Sequence, residues 1–201
     1  MTLLYLLDLC GTFVFAVAGA YRATRHGLDL LGVMVLAVAT GVGGGLIRDM
    51  LIGATPAASL QDEAYLIACL LGGVLVLFAA PRVEKSWRVV MIADAIGLGV
   101  FAAIGAAKAH AYGLGPIGVS MMAALTATGG GVVRDVLVRE VPAIVRHDFY
   151  ATAALLGGFV FLVVTHAGVA EPLALLAAML TTTGLRFWAM YGNLHLPTFG
   201  G

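Results

Sequence analysis

The sequence reads as an all-α membrane protein of seven transmembrane helices: two inverted three-helix repeats plus one extra helix, with the second and fifth helices kinked. Three observations predict this. Of 201 residues, 61% are hydrophobic and 11% charged, against roughly 25% charged in a soluble domain. The apolar residues fall into seven long runs, each near the roughly 20 residues that cross a bilayer. The chain also matches itself at a constant offset of 86 residues, from Asp8 to Asp94 onward. Eleven Lys and Arg balance eleven Asp and Glu. That balance excludes a basic nucleic-acid-binding face and gives a soluble protein little charge to stay dispersed.

In chain order the spans are Leu3–Tyr21, Leu30–Leu51, Ala64–Ala80, Val89–Ala107, Pro116–Val138, Tyr150–Thr165 and Pro172–Met190. The first lacks the basic leader and small-residue cleavage site of a signal peptide, so it is expected to remain in the protein. The third and sixth are short but within range. The connections at 22–29, 53–63, 81–88, 108–115, 139–149 and 166–171 are brief and leave no room for a soluble domain. The expectation is one transmembrane domain over 1–201, with repeat one at about 3–80, repeat two at about 89–166 and the seventh helix at about 172–190. That helix has no repeat partner and is expected to face lipid or a neighbouring copy.

Arg22, Arg25, Arg82, Lys85, Arg88, Arg139, Arg146 and the end near Arg186 fall on one side; little beyond Lys108 falls on the other. By the positive-inside rule the basic side is cytoplasmic, which puts the N-terminus outside and the C-terminus inside. The expected location is a prokaryotic plasma (inner) membrane. Trp87, Trp188, Tyr150 and Tyr191 fall near span ends and read as interfacial anchors. Arg82, Lys85 and Arg88 could additionally attract anionic lipid. Cys10 and Cys69 sit in apolar runs and read as small buried hydrophobes.

The internal repeat aligns residues that chance glycine richness would not. Asp8 falls on Asp94, Gly19 on Gly105 and Thr40 on Thr126. Gly43, Gly44 and Gly45 fall on Gly129, Gly130 and Gly131, Arg48 and Asp49 on Arg134 and Asp135, and Pro56 on Pro142. Each copy holds three spans. An odd number forces the second copy to thread the membrane in the opposite sense, giving a pseudo-two-fold axis in the membrane plane. Such folds place their ion or substrate site near the midplane, where the halves meet and helices are interrupted.

The triple glycines are the expected interruptions. Each glycine in a helix costs about 1 kcal/mol relative to alanine in water, and in hydrocarbon a freed backbone group needs protein, water or an ion to satisfy it. One isolated cluster would read as tight helix packing. Two clusters at symmetric places, each followed by Arg-Asp, favour kinked helices along a polar path. A dinucleotide-binding loop is excluded, because Gly41 to Leu46 lacks the last glycine of that fingerprint and no strand precedes it.

Arg48 and Asp49 are adjacent, hence about 100° apart around a helix, which disfavours pairing with each other. Depth at 1.5 Å per residue instead levels Asp8 with Arg48 and Asp94 with Arg134, so those two pairs are expected, one towards each mouth. Buried charges need such partners or water. The pairs either lock the helices together or line and gate a hydrated route, and both roles can coexist. Thr12, Thr40, Thr126 and Thr128 are the hydroxyls best placed to face it.

Duplicated three-span units carrying G-G-G-x-x-R-D at Gly43–Asp49 and Gly129–Asp135, followed by a seventh span, resemble the prokaryotic TRIC (trimeric intracellular cation) channel family, also labelled a glycine-transporter-type family. The resemblance covers Leu3 to about Gly192. It implies a homotrimer with a pore in each protomer, passing monovalent cations, chiefly K+, past kinked second and fifth spans. It also implies a transient cation near the Gly43–Gly45 and Gly129–Gly131 breaks, and no cofactor besides permeant K+ or Na+. No T-V-G-Y-G filter is present, so selectivity is expected to be modest.

A different class of function fits the same architecture: a secondary transporter of a small zwitterion such as glycine, with Arg48 or Arg134 on its carboxylate and an aspartate on its ammonium. Unitary currents against saturable exchange separate the two. An enzyme is disfavoured. No serine sits in G-x-S-x-G, and His26, His110, His147, His166 and His195 show no metal-ligand spacing.

Overall fold

The computed structural model describes the backbone of residues 2–83, 87–146 and 149–192, with side chains over 3–78, 91–145 and 149–192. The side chains of Arg82, Lys85, Trp87, Arg88, Arg146, His147 and His195 lie outside the described residues. The described residues form helices and turns. Seven long helices are α1 (Thr2–Arg25), α2 (Leu30–Leu51), α4 (Glu63–Val83), α5 (Trp87–Ala111), α6 (Pro116–Leu137), α8 (Ala151–His166) and α9 (Glu171–Gly192); α3 (Ala58–Gln61) and α7 (Ala143–Arg146) are single turns. Five of the long helices are long and apolar enough to cross a membrane, while α4, apolar over Glu63–Phe78, and α8 are shorter. The two single turns lie in connections that read from sequence as plain loops.

The repeat is visible in the element boundaries. α6 begins and ends 86 residues after α2, at Pro116 against Leu30 and Leu137 against Leu51. Both helices start from an extended cap residue, Asp29 or Gly115. Asp29 accepts from the Gly32 amide at 2.7 Å, and Pro116 opens α6, where no amide partner is needed. Just past their ends, Gly53 and its equivalent Arg139 both take left-handed backbone, at φ of 74° and 59°. Glycine does this freely and arginine does not, yet the turn is kept in both copies.

Contacts across the middle of the molecule are reciprocal, as a two-fold axis requires. A Cβ on Gly11 would press on the Phe101 ring at 3.2 Å, and one on Gly97 would overlap the Phe15 ring. Phe15 and Phe101, themselves equivalent, meet with centroids 5.0 Å apart and ring planes tilted by 45°, and each is 2% exposed. α2 crosses α6 at the glycines: a Cβ on Gly44 would overlap the Thr126 carbonyl oxygen, and one on Gly130 the Thr40 carbonyl oxygen. Gly19 and Gly105 leave room for the Thr40 and Thr126 side chains in the same reciprocal way.

α2 and α6 stay helical throughout, so the triple glycines do not interrupt either one. Their first use is close backbone approach, which small residues permit and which drives helix association where lipid supplies no hydrophobic push. The expectation of freed carbonyls at the glycines is corrected accordingly.

α9 does more than face outward. Thr182 fills the space over Gly157 and donates to the Ala153 carbonyl at 3.3 Å; Thr183 fills that over Gly99 and donates to the Ala95 carbonyl at 3.3 Å. It thus seals α8 against α5, with Leu173, Leu176, Leu180, Trp188 and Tyr191 on its exposed face. Similar exposed apolar side chains, such as Leu31, Leu71, Phe78 and Ile117, ring the bundle, as expected where the solvent is lipid. Cys69 is buried, but Cys10 is on this exposed surface.

Candidate functional site

Each repeat builds one cluster of buried charge where its second helix ends. In repeat one, Asp49 is the hub. Its Oδ1 accepts from Arg48 Nε at 2.7 Å and from Lys108 Nζ at 2.8 Å, and its Oδ2 accepts from the Ala58 amide at 3.0 Å. In repeat two, Asp135 Oδ1 accepts from Arg134 Nε at 2.8 Å, and its Oδ2 from the Ala143 amide at 3.0 Å. Arg22 Nη2 lies 3.8 Å from Asp135 Oδ1. Arg22 and Lys108 are repeat equivalents, so each half lends the other a cation from the end of its first helix. The single turns α3 and α7 have a purpose here: each presents its leading amide to an aspartate that would otherwise be buried with an empty oxygen.

Adjacent arginine and aspartate therefore do pair, contrary to expectation. The 100° separation holds for the Cβ atoms. An arginine stem is long enough to fold back and offer its Nε edge, and burial removes the water that would compete. Arg48 is 2% exposed and Asp49 1%. Folding back leaves the far end of the guanidinium free, and Arg48 Nη1 is buried without a hydrogen-bond partner.

The second expected pairing holds in one half only. Arg134 Nη1 reaches Asp94 Oδ1 at 3.7 Å, whereas Asp8 makes no ion pair with Arg48 and instead accepts from the Tyr65 hydroxyl at 3.0 Å. Tyr150 is the counterpart on Asp94, at 3.4 Å. It is 3% exposed, so the reading of Tyr150 as an interfacial anchor is corrected. Arg186 from α9 stacks its Cζ 4.9 Å over the Tyr150 ring.

The threonines divide as well. Thr40, Thr126 and Thr128 donate to carbonyls one turn back, at Leu36, Met122 and Ala124, at 2.6, 2.6 and 2.8 Å. Their protons are spent within the helix, and the first two lie at helix crossings. Thr12, in contrast, lines a cavity of about 10 Å³ with Asp8, Gly45, Arg48, Ser59 and Tyr65. That is room for about one water. The glycines split in the same way. Gly43 and Gly44, with Gly129 and Gly130, serve the crossing of α2 and α6. Gly45 and Gly131 face the guanidinium groups: a Cβ added to either would lie 3.7 Å from Arg48 Nη2 or Arg134 Nη2.

At the other end an open vestibule of about 490 Å³ is bounded by Arg22, Arg25, His26 and Glu140. Glu140 holds Arg22 Nη2 at 2.6 Å and His26 Nε2 at 2.9 Å. Outside the spans at the first mouth, Asp62 accepts from the Tyr5 hydroxyl at 2.6 Å and the Ala64 amide at 2.9 Å. These two donors hold its carboxyl below its ordinary value, the tyrosine bond contributing most. Between the two ends stands the Phe15–Phe101 pair.

Sequence reasoning missed Lys108, Arg22, Tyr65, Ser59 and Arg186 as members of these clusters. A signal existed for two of them: Arg22 and Lys108 are basic at equivalent positions, and their charge was read only for topology. Tyr65 and Tyr150 sit one residue out of repeat register, which hides them from an in-register match.

Similarity to known proteins follows the same division. The family model described as Glycine transporter matches residues 5–81 and again 91–166. A UPF0126 membrane protein of Vibrio cholerae is 41% identical over 199 residues, covering 98% of this chain and 83% of the relative. The UPF0126 inner membrane protein YadS of Escherichia coli is 40% identical over 200 residues, covering 98% and 96%. Among solved structures, the TRIC trimeric intracellular cation channel orthologue of Rhodobacter sphaeroides superposes with a TM-score of 0.92 at 39% identity, covering 96% of this chain and all of that one. A structure described in connection with conductance through TRIC cation channels gives 0.91 at 38% identity, covering 97% and 96%. With one family match per repeat and relatives aligned over nearly its whole length, this chain is a multi-pass membrane protein belonging to the family that contains the prokaryotic TRIC channels.

Proposed function

We propose that the protein is a monovalent cation channel, chiefly for K+, with a pore inside each protomer of a homotrimer. The observation that carries this reading is the pair of reciprocal buried charge clusters, each next to water-accessible space, facing each other within one chain across Phe15 and Phe101. Buried ions are expensive in a membrane and mark a route for ions or substrate. The trimer and the cation preference rest on likeness to structures described as trimeric cation channels. Pore and gating roles are proposed for Asp8, Arg48, Asp49, Asp94, Arg134 and Asp135, with Gly45 and Gly131 keeping space over the guanidinium groups. Gly43, Gly44, Gly129 and Gly130 hold the two pore helices together, and Thr12 takes the hydroxyl role at the first mouth. The proposed orientation puts the N-terminus outside, with the Arg22 vestibule cytoplasmic.

Reconstitution in planar bilayers under a KCl gradient tests this. Unitary steps reversing towards the K+ equilibrium potential are expected. Silence in the bilayer with saturable glycine exchange in liposomes would establish the carrier reading instead.

A further inference from the structure

Two histidines at the Lys108 end of the bundle stand apart from the charge clusters. His110 lies in the last turn of α5, and His166 closes α8. They come from different helices, yet their ring centroids are 6.2 Å apart, with planes inclined by 59°. His166 Nδ1 lies 2.8 Å from the Leu162 carbonyl oxygen. A carbonyl only accepts, so Nδ1 carries the proton and donates, and the neutral ring keeps its lone pair on Nε2. His110 rests against the buried Phe161 ring, with centroids 6.0 Å apart and planes at 70°. His166 is exposed and His110 half-buried, so solutes reach the pair from the surface. Among the described residues neither forms an ion pair, unlike His26 on Glu140. Repeat one has Thr24 and Ala80 at the equivalent places, so the pair lies outside the symmetry of the hubs.

We propose that His110 and His166 form a surface site for a borderline transition-metal ion such as Zn2+, which clamps the last turn of α5 to that of α8. Zinc binds an imidazole nitrogen at about 2.0 to 2.1 Å, which puts the metal about 3.2 Å from each ring centre. Two such rings have centres about 5.2 Å apart at a tetrahedral angle and about 6.4 Å apart in line. The separation of 6.2 Å falls inside that range. The Nδ1–H bond to a backbone carbonyl is the outer contact that orients ligating histidines. Both rings also sit at helix C-termini, whose partial negative charge favours a cation. Lys108, in the same turn as His110, is neutralised by Asp49 at 2.8 Å. Among the described residues no third His, Cys, Asp or Glu joins the pair, so water completes the coordination, as it does at open zinc positions. Imidazole ligands suit zinc, copper and nickel, whereas Mg2+ and Ca2+ require oxygen.

The test uses the purified full chain in mild detergent, where both faces are accessible, so it depends on neither the channel reading nor the orientation. Zn2+ is titrated by calorimetry into wild type, His110→Gln, His166→Gln and the double variant. Each single substitution should lower the affinity about tenfold or more, since losing even an outer partner of a ligand costs that much. The double variant should lose little more than either single one, because a bridged ion needs both rings. Zn2+ should raise the unfolding temperature of wild type and leave that of the double variant in place, and Mg2+ should shift neither. Electron paramagnetic resonance with one equivalent of Cu2+ should count two imidazole nitrogens in wild type, a measurement that needs no variant to fold. It should count one in either single variant. A wild type that binds no Zn2+, binding indifferent to both substitutions, or single losses that add as for independent sites overturns the proposal.

Discussion

The two charge clusters descend from one sequence pattern and end up differently secured. At the first, Arg48 has a single ion-pair partner, Asp49, and Asp49 is shared with Lys108. At the second, Arg134 has two acids, Asp135 and Asp94, and α9 adds Arg186 from above Tyr150. The motif fixes the Arg–Asp hub in both halves. What surrounds it comes from residues outside the motif, and those set how much each hub can lose before it fails.

The sharpest way to break this comparison is to neutralise each hub. Asp49→Asn leaves Arg48 buried and without any ion pair, a loss of about 3 to 5 kcal/mol for a broken buried pair. Asp135→Asn leaves Arg134 with Asp94, and the expected loss is about half of that. Unfolding free energies in mild detergent measure both. Equal losses would mean that the 3.7 Å contact to Asp94 contributes nothing.

A smaller effect tests what the halves share. Gly44→Ala and Gly130→Ala each drive a methyl group into the backbone of the opposing helix, so each should cost about 1 to 3 kcal/mol, and by similar amounts. Gly45→Ala and Gly131→Ala meet nothing closer than 3.7 Å and 3.5 Å. In a helix alanine is favoured over glycine by up to about 1 kcal/mol, so these two should be neutral or stabilising. Damage from Gly45→Ala equal to that from Gly44→Ala would show that the third glycine also serves the crossing.

Weaker still is the tyrosine pair. Tyr65→Phe removes a 3.0 Å bond to Asp8, and Tyr150→Phe a longer one of 3.4 Å to Asp94. A hydrogen bond to a charged group contributes about 1.5 to 3 kcal/mol. Tyr65→Phe should fall near the lower end and Tyr150→Phe below it, since Arg186 still stacks on the phenyl ring. The same unfolding assay orders them, and a larger loss for Tyr150→Phe would reverse the assignment.

Much of the architecture was legible because periodicity and duplication are properties of the chain itself. An in-register match from Asp8 to Asp94 carries over to α2 and α6, whose ends coincide to the residue. The hubs were half legible. Arg48 and Asp49 announce themselves as ions in an apolar run, but their partners depend on where α3, α4 and α5 return, and helix depth alone brought Asp8 to the cavity it shares with Arg48 without showing that its hydrogen bond goes to Tyr65. Rotation matters as much as depth: Tyr65 on α4 and the folded-back Arg48 side chain are consequences of how helices face one another. The glycines misled for a related reason. Composition says that a triple glycine can break a helix, whereas the opposing backbone at Thr126 and Thr40 decides that it is used for contact.

The smallest difference lies outside the membrane, and pH reads it. Asp62 has its carboxyl held below the ordinary value by Tyr5 and by the Ala64 amide. A group whose folded value is lowered binds fewer protons folded than unfolded as pH falls past its unfolded value of about 4, so the unfolded state gains on acidification. Its contribution is fully present above that ordinary value and is lost as pH drops through the depressed one. The stability gap between wild type and Asp62→Asn should therefore be constant from pH 7 down to about 5 and close on further acidification, in unfolding measured across that range. A gap that widens with acid would mean that Tyr5 and Ala64 favour the protonated carboxyl, and the mouth would then lose a fixed negative charge rather than keep one.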